Sequence, residues 1–246
     1  MNAETPQAVE LNLPQAFLLL ATNDTTGKPE VPVFALRTTV AGAILAELDL
    51  IGAIELQGRR VRATGITPTT DLRRELEVIS GKSRLHSPKS WVSMLEGRAE
   101  VQHVYDGMVS AGIVEHVGEK HLGRFRAVRY PEKNHAPEAA LLERIHKALS
   151  GAPSELEVPE RMTPVDASVA GAPDAGTPVA KTDSRAANAR TIVLIALLQA
   201  AGMLGKLFPD ADLTRADELA KDYWPTHAVE DELRMIRLAE QEAATL

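Results

Sequence analysis

The sequence predicts a mainly α protein, a single globular helical domain carrying two peripheral β-hairpins. Three observations support this. Apolar residues recur at helical spacing through most of the chain. Pairs of short alternating runs flank glycine-containing basic turns at two places. With 44% apolar and 25% charged residues, the 246-residue chain has the composition of a protein that buries a core.

The elements follow in order. Leu13, Phe17 and Leu20 share one face of a short helix over Leu11 to Thr22, closed by the turn-formers Asn23 to Gly27. Lys28 to Ala35 holds two prolines and reads as extended or irregular. Thr38 or Thr39 then caps a strong helix through Asp49, with Val40, Ile44, Leu45 and Leu48 at helical spacing and Gly52 ending it. Ile54 to Leu56 and Val61 to Ala63 alternate around Gln57-Gly58-Arg59-Arg60, a hairpin signature. Asp71 to Ile79 is amphipathic, and Ser87-Pro88 opens a helix through Leu95. Arg98 to Ser110 is helical, with Gly112 as its stop. Ile113 to Val117 and Leu122 to Tyr130 make a second hairpin around Gly118 to His121, and Glu138 to Leu149 is another helix.

From Gly151 to about Asn188, prolines recur among Ala, Gly, Ser and Asp without a period, which predicts a flexible or extended, disordered loop. Three helices follow, over Thr191 to Phe208, Asp212 to Asp222 and His227 to Ala243. A repeat is visible as well. Leu50 to Leu56 and Ser110 to His116 both run from a helix end through glycine into a strand, a repeated helix–wing unit.

Composition excludes several functions. The absence of cysteine removes disulfides, thiolate metal sites and cysteine catalysis. Aromatics at 4% leave few stacking platforms for single-stranded nucleic acid, and the net charge of −7 opposes general nucleic-acid affinity. There is no phosphate-binding Gly loop, no His-Glu-x-x-His and no nucleophile elbow. The seven histidines lack ligand spacing, His103 and Asp106 read as a local hydrogen bond, and Glu75/Glu77 and Glu230/Asp231/Glu232 read as solvated helix faces. No catalysis, cofactor or metal is expected. Met1 to Pro6 carries an acid where a signal peptide needs bases. The longest apolar stretch, Ile192 to Gly205, is shorter than the roughly 20 residues that span a bilayer. The expected location is the cytoplasm or the surface of a membrane.

Charge is unevenly spread. Arg59 to Arg84 carries a net +4, His116 to Asn134 a net +3, and Pro209 to Leu246 a net −6. Cationic hairpins suit an anionic lipid surface, where each base contributes about 1 kcal/mol. The same bases also serve as solvated strand faces that blunt sheet edges.

Several runs share order and spacing with a known family. They are Leu13 to Leu20 followed by Gly27, Ala41 to Leu48 through Gly52-Ala53-Ile54, and Ser87-Pro88-Lys89-Ser90-Trp91-Val92. Gly112-Ile113-Val114, Phe125 to Pro131 and Leu194 to Phe208 complete the set. Together they resemble the Golgi phosphoprotein 3 family, in particular its bacterial, actinobacterial-type branch, across most of the chain outside 151–188. The resemblance implies one mostly helical domain over 1–246. It also implies peripheral binding to phosphatidylinositol 4-phosphate on the cytosolic face of a membrane. In eukaryotic members a tryptophan and an arginine around the first long helix hold the phosphate, with two arginines three apart at the start of the helix before the second hairpin.

Here Arg98 falls on the first of that pair, and Val101 stands at its partner position. The long-helix arginine falls on Ala41, and the tryptophan on or near Pro32 with Phe34 close by. Arg37 lies one turn before Ala41, either projecting into the same space or merely exposed. Arg98 is either a ligand or a solvated helix-start arginine. The family's second hairpin inserts apolar side chains into the bilayer and mediates self-association, which makes a homo-oligomer a possible state. Lys120, Leu122, Arg124, Phe125 and Arg126 occupy that region, and Phe125 points either to lipid or inward. The arginine-rich N-terminal arm of the eukaryotic proteins has no counterpart in Met1 to Glu10. Two other readings stand beside this one: a winged-helix-like nucleic-acid-binding or regulatory module using Arg59, Arg60 and Arg62, and an interaction scaffold tethered by the Pro/Ala loop.

Overall fold

A computed structural model of the chain describes residues 10–118, 120–121, 124–125, 128–150, 179–211, 213–220 and 223–244. The architecture is mainly helical with two small antiparallel ladders, as the sequence predicts. Helix α1 (Leu13–Leu20) begins with a reciprocal cap: Asn12 Oδ1 accepts from the Gln15 N–H at 3.0 Å, and Gln15 Oε1 from the Asn12 N–H at 3.2 Å. Helix α2 (Val33–Leu50) is the hub. It is buried nearly all round from Ala35 to Leu48, as a helix apolar on every face must be. Against it pack α1, α4 (Pro88–Leu95), α5 (Arg98–Ser110), α7 (Val179–Ala200) and α10 (Trp224–Ala244). Helices α3 (Arg73–Ser80), α6 (Ala136–Ser150), α8 (Leu204–Leu207) and α9 (Leu213–Ala220) fill the periphery.

The hub also carries a charge. Glu47 is buried, takes a forked contact from the Arg190 guanidinium (Nη2 to Oε1 at 2.7 Å, Nε to Oε2 at 3.2 Å), and accepts the Leu13 N–H at 3.0 Å. One carboxylate thereby joins α2 and α7 and satisfies an orphan donor in the first turn of α1.

Four boundaries differ from the expected ones. Helix α2 starts at Val33, not at Thr38 or Thr39, because Pro32 is its N-cap and the prolines precede the helix rather than interrupt it. Both threonines are buried inside it. In the second hairpin Lys120 and His121 are strand residues, not turn residues. Val114 pairs with Glu132, Val117 with Arg129, Lys120 with Phe125 and His121 with Arg124, in strands β3 (Lys120–His121) and β4 (Arg124–Phe125). Helix α7 reaches back to Val179, so the expected loop over 151–188 is helical in its last ten residues, where nothing after Pro178 breaks a helix; residues 151–178 lie outside the described ones. The helix expected over Thr191 to Phe208 is divided at Gly202. Glu75, expected on a solvated face, is buried, while Glu77 stays exposed and pairs with Arg73 at 3.1 Å.

The first hairpin, β1 (Ile54–Gln57) with β2 (Arg60–Ala63), forms where the alternation predicts it, although Gln57 and Arg60 pair as strand residues rather than lying in the turn, and the repeat is visible in backbone geometry. Gly52 and Gly112 both adopt φ 71°, which an L side chain avoids. Each donates to the carbonyl three residues back, and the following residue donates to the one five back (Ala53 to Leu48, Ile113 to Met108). Two helices therefore end in the same cap and turn into a hairpin.

Candidate functional site

The start of α5 and the base of the second hairpin meet on one face. Arg98, Gln102 and Asp106 follow one another at single-turn intervals along α5. Gln102 donates to the Tyr130 hydroxyl and, at 2.9 Å, to Asp106 Oδ1. Tyr130, on the returning side of the hairpin, stacks on Tyr105 of α5 with ring centroids 3.9 Å apart and on His116 at 5.5 Å. Burial raises the Tyr130 pKa above the usual phenol value, against the nearby Arg98 charge, which lowers it. Tyr105 is pushed up to about 12, chiefly by burial, and its hydroxyl meets Thr22 Oγ1 at 2.7 Å. Because Thr22 Oγ1 donates its hydrogen to the Leu18 carbonyl at 2.6 Å, Tyr105 is the donor in that pair.

The loop after α1 closes the other side of the hairpin. Tyr130 N–H donates to the Gly27 carbonyl at 3.0 Å and Glu132 N–H to that of Asp24 at 2.8 Å. Gly27 has φ 64°, and a Cβ there would run into the backbone of Tyr130 and Pro131, so no other residue fits.

The expected site residues are distributed as follows. Arg98 is exposed at the first position of α5. Thr38 Oγ1 donates to Glu96 Oε2 at 2.9 Å, which brings the early turns of α2 against the α4–α5 junction two residues before Arg98. Arg37 is half-buried on that stretch of α2, and Phe34 is half-buried against the core rather than presented to solvent. Ala41 is fully buried, Val101 packs against the core and Pro32 is exposed. Lys120, Arg124 and Phe125 lie on the outer ladder of the hairpin, while Leu122 and Arg126 fall outside the described residues. Acids also surround the α5 start: Glu96 precedes it, and Glu100 folds its carboxylate back over Gly97. On the first hairpin, Arg60 donates to the Leu85 carbonyl and Arg62 lies 4.0 Å from Glu55, so both engage the protein's own acceptors.

The structure also assembles a group that the sequence reading missed. Asp24, Glu132, His135 and Glu138 bring one potential ligand atom each to within 4.8 Å of one another. They come from the loop after α1, the end of the hairpin and the start of α6. Glu138 is pushed up to about 8 by burial and then by the charges of Asp24 and Glu132, and Glu132 is raised mainly by burial. The local signal was Glu132-x-x-His135-x-x-Glu138, which wraps onto one side of a helix start; nothing in the sequence pointed to Asp24 as their neighbour. His103 and Asp106 form no pair with each other, since His103 Nε2 lies against the Asp71 carbonyl at 3.3 Å and Asp106 accepts from Gln102. A concavity of about 370 Å³ lies between α6 and α8, lined by His146, Leu149, Phe208 and Asp210 among others, and includes none of the expected site residues.

A family model of Golgi phosphoprotein 3 (GPP34) matches residues 13–236. The chain belongs to the Golgi phosphoprotein 3 family. A comparison with individual curated proteins finds no match. The match covers α1, α5, both hairpins and the α6 start, so the whole face described above lies within the Golgi phosphoprotein 3 region. Among the described residues, no helix is long and apolar enough to cross a membrane.

Proposed function

We propose that this chain is a peripheral membrane protein that binds the phosphorylated headgroup of an anionic phospholipid, of the phosphatidylinositol 4-phosphate kind, without a catalytic step. It would act from the cytosolic face of a membrane, with its second hairpin against the bilayer. The observation that carries this reading is membership of the Golgi phosphoprotein 3 family over residues 13–236. Geometry supports it in two ways. Tyr130 stacks on Tyr105 and accepts from Gln102, so the base of the hairpin is tied to the helix that begins with Arg98. The base of that hairpin exposes Val117 and Val128 beside Arg129, an apolar and cationic mixture suited to an anionic interface. Arg98 is the proposed headgroup ligand, with Arg37 and Phe34 on the neighbouring stretch of α2. Lys120, Leu122, Arg124, Phe125 and Arg126 are the proposed membrane-contacting residues.

Co-sedimentation with vesicles tests the reading. The chain should pellet with vesicles containing phosphatidylinositol 4-phosphate and remain in the supernatant with neutral ones at low salt. Equal retention on both sinks the proposal. Arg98→Glu should weaken retention, and an unchanged variant removes Arg98 from the site. Light scattering on the vesicle-free chain reads self-association separately.

A further inference from the structure

Neither the proposed headgroup ligands nor the second hairpin draws on the cationic stretch from Arg59 to Arg84, and the structure divides its seven bases into two sets. Three are engaged by the protein itself: Arg60 by the Leu85 carbonyl, Arg62 by Glu55 and Gln57, and Arg73 by Glu77. The other four, Arg59, Arg74, Lys82 and Arg84, are exposed and make no side-chain hydrogen bond or ion pair among the described residues.

Exposed aliphatic side chains lie among these four: Ile66 at 55%, Val78 at 43% and Leu85 at 39%. Arg74 and Val78 are neighbours one turn apart on α3, and Lys82 follows in the turn that closes the helix, where its N–H donates to the Ile79 carbonyl at 3.4 Å. Leu85 follows Arg84 and is held beside β2, because the Val61 N–H donates to the His86 carbonyl at 2.9 Å. Helix α3 packs against the same strand. Nothing in the fold lies over the Gly58 turn or over Gly65, since a Cβ at either would have no protein atom within 4 Å.

We propose that this lobe, made of the first hairpin, α3 and residues 81–86, is a second membrane-contacting surface that rests on an anionic bilayer. The inference builds on the lipid reading above and extends it to a part of the molecule that reading does not use. Unpaired bases interleaved with aliphatic side chains are the chemistry of an interfacial surface. Residues 53–86 contain no Phe, Tyr or Trp, so stacking on nucleic-acid bases has no platform there. Position supports the same assignment. The first turn of α1 meets both long helices near their ends, with the Leu13 N–H on Glu47 of α2 and Gln15 against Gly107 of α5. Each contact falls five residues before a glycine cap, Gly52 or Gly112, so both hairpins leave the helical core from the same end. Once one hairpin holds the bilayer, the other binds at a raised effective concentration.

The test uses the full-length chain, which has no cysteine of its own. Val78→Cys carries a polarity-sensitive fluorophore on the lobe, Val117→Cys reports the second hairpin, and Glu218→Cys, exposed on α9 in the acidic C-terminal part, is the reference in water. The vesicles are phosphatidylcholine containing phosphatidylserine and phosphatidylinositol 4-phosphate, at low salt. The label at 78 should shift to the blue and be quenched by brominated lipid, while the label at 218 should do neither. Arg74→Ala with Lys82→Ala alters two exposed, unpaired side chains, so circular dichroism should be unchanged. Vesicle affinity should fall about fivefold for each base removed, about 25-fold together. A response at 117 with the label at 78 still in water overturns this inference alone. Silence at both positions overturns the lipid reading and this inference with it. Undiminished affinity in the double variant, or a label at 78 that answers to a DNA duplex and not to vesicles, also overturns it.

Discussion

Replacing Glu47 by leucine removes the only charge on the inner part of α2 and leaves two groups stranded. Arg190 loses its forked carboxylate, and the Leu13 N–H loses its acceptor. Removing one partner of a buried ion pair costs about 3–5 kcal/mol, and an orphaned buried donor adds about 1 kcal/mol. Two features pull the sum toward the lower figure. The Arg190 side chain is 24% exposed, and its Nη1 keeps a 3.1 Å contact to Glu10. The expected loss is therefore about 3 kcal/mol, which for a chain of this size lowers Tm by roughly 6–12 °C. Glu47→Gln retains an acceptor for Leu13 and should lose about half as much. A cycle with Arg190→Met, read by urea denaturation, isolates the pair, because removing both partners together should cost less than the sum of the single changes. Additive effects, or a loss below about 1 kcal/mol for Glu47→Leu, would falsify the assignment of this pair as the link between α2, α7 and α1.

Three further outcomes follow from the structure. Gly42→Ala places a methyl group into Val229 of α10, so overpacking of about 1–3 kcal/mol outweighs the helix-propensity gain of about 1 kcal/mol, and thermal melting should show net destabilisation. Gly27→Ala drives a Cβ into the backbone of Tyr130 and Pro131; near-ultraviolet circular dichroism should show loss of the tyrosine stack, and an unchanged spectrum refutes the loop–hairpin contact. Glu138 sets a pH dependence of stability. Its folded pKa of about 8 lies above the unfolded value of 4.5, so the native state binds more protons in that window and stability falls as pH rises through it. After discounting for a half-exposed group, the loss is on the order of 1–2 kcal/mol, and Glu138→Gln should flatten the pH–stability curve.

What the sequence made readable was local chemistry. Ser87-Pro88 and Gly112 mark a helix start and a helix stop by their own side chain, ring or backbone, and α4 and α5 begin and end where those signals place them. Thr38 and Thr39 mimic that signal but are buried mid-helix, because Thr38 serves Glu96 across a helix junction instead of capping its own helix. A cap and a tertiary hydrogen bond use the same hydroxyl, and only the packed neighbour tells them apart. Arg98 was readable as a helix-start arginine, but its neighbourhood was not. Tyr130 reaches α5 through a ring stack and Gln102, contacts with no periodic trace in the chain. The Asp24 to Glu138 cluster is hidden for the same reason, since a loop and a helix start come together only once the hairpin lies between them.

The acids around the α5 start bear on how such a protein would hold a membrane. A helix N-terminus attracts anions, but here Glu100 already lies over Gly97 and Glu96 sits at the junction. On the proposed reading a phosphomonoester approaching Arg98 therefore meets one guanidinium amid two carboxylates, and Val101 stands where the family resemblance implies a second arginine. A single exposed charge pair contributes at most about 1 kcal/mol, far short of stable attachment. On the proposed membrane-binding reading, retention on vesicles then comes mainly from the hairpin and its bases, each adding about 1 kcal/mol near an anionic surface. Such a distributed interaction weakens steeply with salt and discriminates poorly between headgroups of equal charge, whereas a closed arginine pocket would keep its preference for one headgroup as salt rises. Comparing phosphatidylinositol 4-phosphate with charge-matched phosphatidylserine vesicles across a salt series separates the two, and a headgroup preference that survives high salt would refute the distributed account.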